Sequence, residues 1–149
     1  MRVPVILLVE DSASDEQLTL RALQRAHIAN EVVVARDGAA ALDYLFGRGS
    51  HAGRDVGDLP HVVLLDLKLP KIGGLDVLRA VRADGRTARL PVVILTSSRE
   101  DRDIVEGYGL GANSYIVKPV DYDQFSEAVR TLGLYWLVLN EPPRARTSP

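Results

Sequence analysis

Three runs, "VPVILLV" near the start, "HVVLL" at 61–65 and "LPVVIL" at 90–95, are apolar without alternation and rich in β-branched residues. Each closes on a polar residue: Glu10, Asp66 and Thr96. A strand that is apolar at consecutive positions must be covered on both faces, as in a parallel sheet between two helix layers. Two weaker strands are "EVVVA" at 31–35 and "SYIVK" at 114–118. Helical patterns fall between the strands. They run from Ser14 to Ala26 and from Gly38 to Phe46, then along a face marked by Leu75, Leu78 and Val81, and more weakly from Arg99 to Gly107. Phe125, Ala128, Val129 and Leu132 stand at i, i+3, i+4 and i+7, the clearest amphipathic helix in the chain. This order, β then α five times, predicts right-handed crossovers. The expected fold is α/β and flavodoxin-like: a doubly wound, five-stranded parallel sheet in the order 2-1-3-4-5 with five helices.

In such a sheet ligands bind beyond the carboxyl ends of the strands, at the switch point between the first and third. That is where the closing polar residues gather. Glu10 and Asp11 end the first strand, Asp66 the third, Thr96 the fourth and Lys118 the fifth. Carboxylates crowded at one edge repel one another and call for positive charge. Oxygen-only ligands open to water suit Mg2+, which takes one or two carboxylates together with phosphate oxygens. Glu10, Asp11 and Asp66 would be balanced by Mg2+ and Lys118. Phosphoryl transfer asks for positioning and electrostatics of this kind. Asp66 would be the nucleophile forming an acyl phosphate. Lys118 would bind one phosphoryl oxygen and the Thr96 hydroxyl would donate to another.

The rest of the sequence narrows the classes. A length of 149 residues suits one domain. A net charge of -2 gives no footprint for nucleic acid. The absence of cysteine excludes disulfides and thiolate metal sites, and fits a reducing cytoplasm. The opening residues lack a signal-peptide pattern. The apolar run from Leu132 to Leu139 is far short of the roughly 20 residues of a spanning helix, so no membrane association is expected. His27, His51 and His61 share no metal-ligand spacing. "GYGLGA" has the outline of a dinucleotide loop but precedes a strand instead of opening a helix. The segment from Gly47 to Pro60, with four glycines and no periodicity, reads as an exposed, mobile loop.

The ordered motifs "LLVEDS", "LLDLKLPKIGG", "VVILTSS" and "YIVKP" resemble those of the receiver domains of two-component response regulators. The resemblance covers roughly Val5 to Leu132, so one receiver domain is expected over 1–140, and the tail over 141–149 has too few apolar residues to pack and reads as disordered. It implies that Asp66 accepts a phosphoryl group from the phosphohistidine of a sensor histidine kinase. It also implies that the main-chain carbonyl of Lys68 joins Glu10, Asp11 and Asp66 as a metal ligand, and that Tyr115 is a switch aromatic coupled to Thr96. A cis bond is implied before Pro119. Glu10 replaces the commoner Asp, which leaves its metal contact either direct or through water.

Two other classes compete. A phosphatase of the haloacid dehalogenase type needs a second Asp two residues after the nucleophile, where Lys68 stands. A receiver-like docking module would be expected to lack the acceptor or the lysine. The stretch "LGLYWLVLNEPP" is apolar nearly all round, so Tyr135 and Trp136 either fold back on their own domain or form a partner surface. This ending and the glycine-rich loop resemble stand-alone regulators of bacterial and cyanobacterial phytochrome kinases. That resemblance implies a homodimer; output is expected through protein binding or onward phosphotransfer.

Overall fold

The computed structural model describes residues 5–25, 31–97, 109–121, 123, 124 and 127. Five strands form one sheet: β1 (Val5–Val9), β2 (Glu31–Ala35), β3 (Val62–Asp66), β4 (Val92–Thr96) and β5 (Ser114–Val117). All pairings are parallel and the order is β2-β1-β3-β4-β5, as the sequence predicts. Among the described residues, three α-helices lie between them: α1 (Ala13–Arg25), α2 (Gly38–Phe46) and α3 (Gly74–Ala83). The expected helix from Arg99 to Gly107 falls outside the described residues. So do Tyr135, Trp136, the 141–149 tail and most of the last helix, of which Asp123, Gln124 and Glu127 are helical.

The continuous apolar runs have the reason expected of them. One core joins Leu7, Val9, Val63, Leu65, Val92 and Ile94 to Ala41 and Leu45 of α2 and Val77, Leu78 and Val81 of α3. The other joins Ile6, Leu8, Val62, Leu64, Val93, Leu95 and Ile116 to Ala22 and Leu23 of α1. Successive residues of a strand point to opposite faces, so each run divides evenly between the two cores.

The same alternation aims the residues just past the strand ends. Backbone pairing continues one step there, with Glu10 N–H donating to Ala35 O, Leu67 N–H to Leu95 O and Lys118 N–H to Thr96 O. Glu10 continues the Ile6–Leu8 series, Asp66 the Val62–Leu64 series and Lys118 follows Ile116. All three therefore emerge on the α1 side of the sheet.

The β3–α3 loop that follows Asp66 is fastened to the start of α2. Asp37 caps α2 by accepting from Ala40 N–H at 2.7 Å and pairs with Lys71 at 3.3 Å. Gly38 meets the loop so closely that a Cβ there would stand 2.0 Å from Ile72 O.

The Gly47–Pro60 segment is a largely exposed loop, as its composition predicts, with some local order of its own. It holds a short 3-10 turn over Gly49–His51. Arg54 stacks over Tyr44, 4.1 Å from the ring centre. It also donates to Tyr44 O at 2.7 Å and to Asp58 O at 2.8 Å. His51 packs edge-on to Tyr44.

Candidate functional site

A cavity of about 210 Å³ opens at the carboxyl edge of the sheet, lined by Glu10, Asp11, Ser12, Asp15, Asp66, Lys68, Ser97 and Lys118. β1 delivers Glu10 and Asp11, β3 delivers Asp66, and β5 delivers Lys118. Ligand oxygens of Glu10, Asp11 and Asp66 all lie within 4.8 Å of one another. Glu10 is wholly buried and Asp66 nearly so, whereas Asp11 is exposed.

Lys118 answers these charges. Its Nζ lies 3.1 Å from Asp66 Oδ2, 3.1 Å from Glu10 Oε1 and 3.0 Å from Asp15 Oδ2. It donates hydrogen bonds to Glu10 Oε2 at 3.2 Å and to Asp15 Oδ2. The other Asp66 oxygen, Oδ1, accepts from Lys68 N–H at 3.1 Å. Burial disfavours the ammonium, but the Asp15 hydrogen bond and the Asp66 and Glu10 charges outweigh it and hold the Lys118 pKa above the usual lysine value. Burial, and then the Asp66 charge, push Glu10 up to about 7 despite the lysine beside it.

Glu10 Oε1 is buried and has no well-angled hydrogen bond. A spare lone pair on a buried carboxylate that clusters with two more carboxylates fits a hard divalent cation taking oxygen ligands.

Of the residues singled out from sequence, Glu10, Asp11, Asp66, Lys68 and Lys118 share this cavity. Thr96 does not line it. Thr96 is buried at the end of β4 on the opposite sheet face, following Ile94. Ser97, one residue on and exposed, lines the cavity instead. Tyr115 pairs with Ile94 in register and packs, half-buried, against the core on the α2 and α3 side. The Lys118–Pro119 bond is cis. Sequence reasoning missed Asp15, which reaches Lys118 from the first turn of α1. Its only signal is its place four residues after Asp11.

Comparison with known proteins decides the family. The sequence profile of the response regulator receiver domain matches residues 6–130. The chain is a response regulator receiver. Phosphorylation on aspartate is the mechanism of this family, and histidine kinases are its phosphoryl donors. Among solved structures, the receiver resembles the bacteriophytochrome response regulator AtBRR at 54% identity and a TM-score of 0.86, covering 95% of this chain and 100% of that one. Among curated proteins it is 40% identical to the probable methanogenesis regulatory protein FilR2 of Methanothrix harundinacea, over 93% of this chain and 87% of that protein. It is 35% identical to response regulator Rcp1 of Synechocystis, over 89% of this chain and 88% of Rcp1. An Rcp1 structure in a Mn2+-bound form superposes with a TM-score of 0.71 at 34% identity, covering 98% of this chain and 99% of that one. Among the described residues, no helix is long and apolar enough to cross a membrane.

Proposed function

We propose that this receiver takes a phosphoryl group onto Asp66 from the phosphohistidine of a sensor kinase, in a Mg2+-dependent reaction. The observation that carries this reading is the Asp66 carboxylate itself. It is nearly buried, bonded to Lys68 N–H through one oxygen and paired with Lys118 through the other, beside two more carboxylates. An Asp66 oxygen forms the new bond to phosphorus as the bond from phosphorus to the kinase imidazole nitrogen breaks. The imidazole leaves with the bonding pair and regains its proton from solvent. Lys118, itself largely buried, supplies positive charge where the phosphoryl oxygens arrive.

The carboxylates of Glu10, Asp11 and Asp66 and the carbonyl of Lys68 would hold Mg2+, which when bound neutralises charge on the phosphoryl oxygens. Thr96 donates its hydroxyl to the phosphoryl group after moving toward it. Tyr115, on the same sheet face and one strand over, then shifts inward. This pairing is supported by the register, in which Tyr115 stands opposite Ile94 and Val117 opposite Thr96.

The protein is a signalling protein, not an enzyme acting on a separate substrate. Lys68 stands where an aspartate-nucleophile phosphatase needs its acid. A phytochrome-type kinase as donor is supported by the 54% identity to a bacteriophytochrome response regulator. A cytoplasmic location suits the cysteine-free composition. A homodimer through Tyr135 and Trp136 is supported by the apolar run that contains them. Output is then protein binding or onward phosphotransfer.

Intact mass after incubation with acetyl phosphate tests this reading. We expect a gain of about 80 Da, one phosphoryl group, with Mg2+ and none with EDTA. No gain from either acetyl phosphate or a phosphorylated sensor kinase would leave the docking-module reading instead.

A further inference from the structure

We propose that Asp15 is a positioning residue for phosphoryl transfer, holding the Lys118 ammonium over the site through the whole reaction. The inference rests on the reading of Asp66 as phosphoacceptor and deepens it. Three carboxylates contact Lys118. Two of them, Glu10 and Asp66, belong to the cluster suited to a metal, and Asp66 also takes the phosphoryl group. Both therefore change partners when the site fills. Asp15 lies outside that cluster, so its contact is the one the chemistry does not consume.

Lysine carries three N–H donors on a flexible four-carbon stem. In the resting site, Asp15 and Glu10 accept hydrogen bonds from Nζ, while Asp66 faces it as an ion pair. A donor directed at the Asp66 side can follow the arriving phosphoryl oxygen while Asp15 keeps the nitrogen in place. Without that tether, the stem must be ordered at the moment of reaction, at an entropic cost.

Asp15 is itself well anchored. Its N–H donates to Ser12 Oγ at 3.2 Å, and Glu16 N–H donates to Ser12 O at 2.9 Å, which fixes the first turn of α1. The helix N-terminus there favours an anionic side chain. Further along, Ala22 and Leu23 lock α1 into the core.

The experiment is a double-mutant cycle. Phosphorylation rates by phosphoramidate with Mg2+ are measured for wild type, Asp15→Asn, Lys118→Ala and the double variant. Isothermal titration with magnesium alone runs beside it on the unphosphorylated proteins. We expect Asp15→Asn to slow phosphorylation about three- to ten-fold, the scale of losing one partly exposed charged contact. Its magnesium affinity should stay within about two-fold, because Asp15 is not a ligand. In the Lys118→Ala background the same change should have no further effect, and Asp15→Glu should recover most of the rate. An unchanged rate for Asp15→Asn, or an equal loss with and without Lys118, would overturn the proposal. Wild type failing to take a phosphoryl group would overturn the Asp66 reading along with it.

Discussion

Glu10 is held where a charge is costly. It has no exposed surface, it faces Asp66, and its pKa rises to about 7. The unfolded chain returns it to the ordinary value of 4.5. A raised folded pKa means that the native state binds the proton more tightly. The contribution to stability is therefore complete below about 4.5 and is lost as pH rises through about 7. In EDTA, the unfolding free energy should fall over that window by an amount on the order of 3 kcal/mol. Glu10→Gln should flatten the slope, and an equally steep fall in that variant would show that other groups cause it. Gly38 makes a second residue-scale case. A Cβ there would stand 2.0 Å from Ile72 O and 2.8 Å from Ile72 Cβ. Gly38→Ala should thus cost about 3 kcal/mol in chemical denaturation, since the loop after Asp66 has to move. A loss below the noise of the measurement would contradict the close approach.

At the scale of elements, one side chain ties the end of α3 to the far half of the sheet. Arg82 donates to Ala88 O and Leu90 O before β4. It also donates to Gly111 O and Asn113 Oδ1 before β5. Asn113 in turn accepts from Val92 N–H at 2.8 Å. Removing the guanidinium strands several acceptors at once. Arg82→Ala should lower stability by about 2–3 kcal/mol, seen as a melting midpoint several degrees lower. A shift of less than a degree would mean that water replaces those contacts at no cost. Nothing in the sequence marks Arg82, because its partners are mostly backbone carbonyls and stand up to 31 residues away. The contacts that order the Gly47–Pro60 loop were illegible for a similar reason. Arg54 organises it through two carbonyls and the Tyr44 ring, contacts that leave no periodicity.

Across the whole molecule, the strand order and the shared site edge were legible because both follow from apolar runs closed by polar residues. The same runs hid which face each closing residue takes. A strand apolar on both sides carries no alternation to show which face a residue takes, so Thr96 and Ser97 could not be told apart before the register was known. In three dimensions, Glu10, Asp66 and Lys118 share the α1 side, and α1 adds Asp15 from beyond the strands. We infer from this convergence that Asp66 is the phosphoacceptor. Reduction with borohydride after phosphorylation converts a phosphorylated aspartate to homoserine, and tandem mass spectrometry of the peptide spanning β3 locates it. Homoserine is expected at position 66, formed with Mg2+ and absent in EDTA and in Asp66→Asn. Homoserine at position 11 or 15 instead, or none in a protein shown to carry the phosphoryl group, would contradict it.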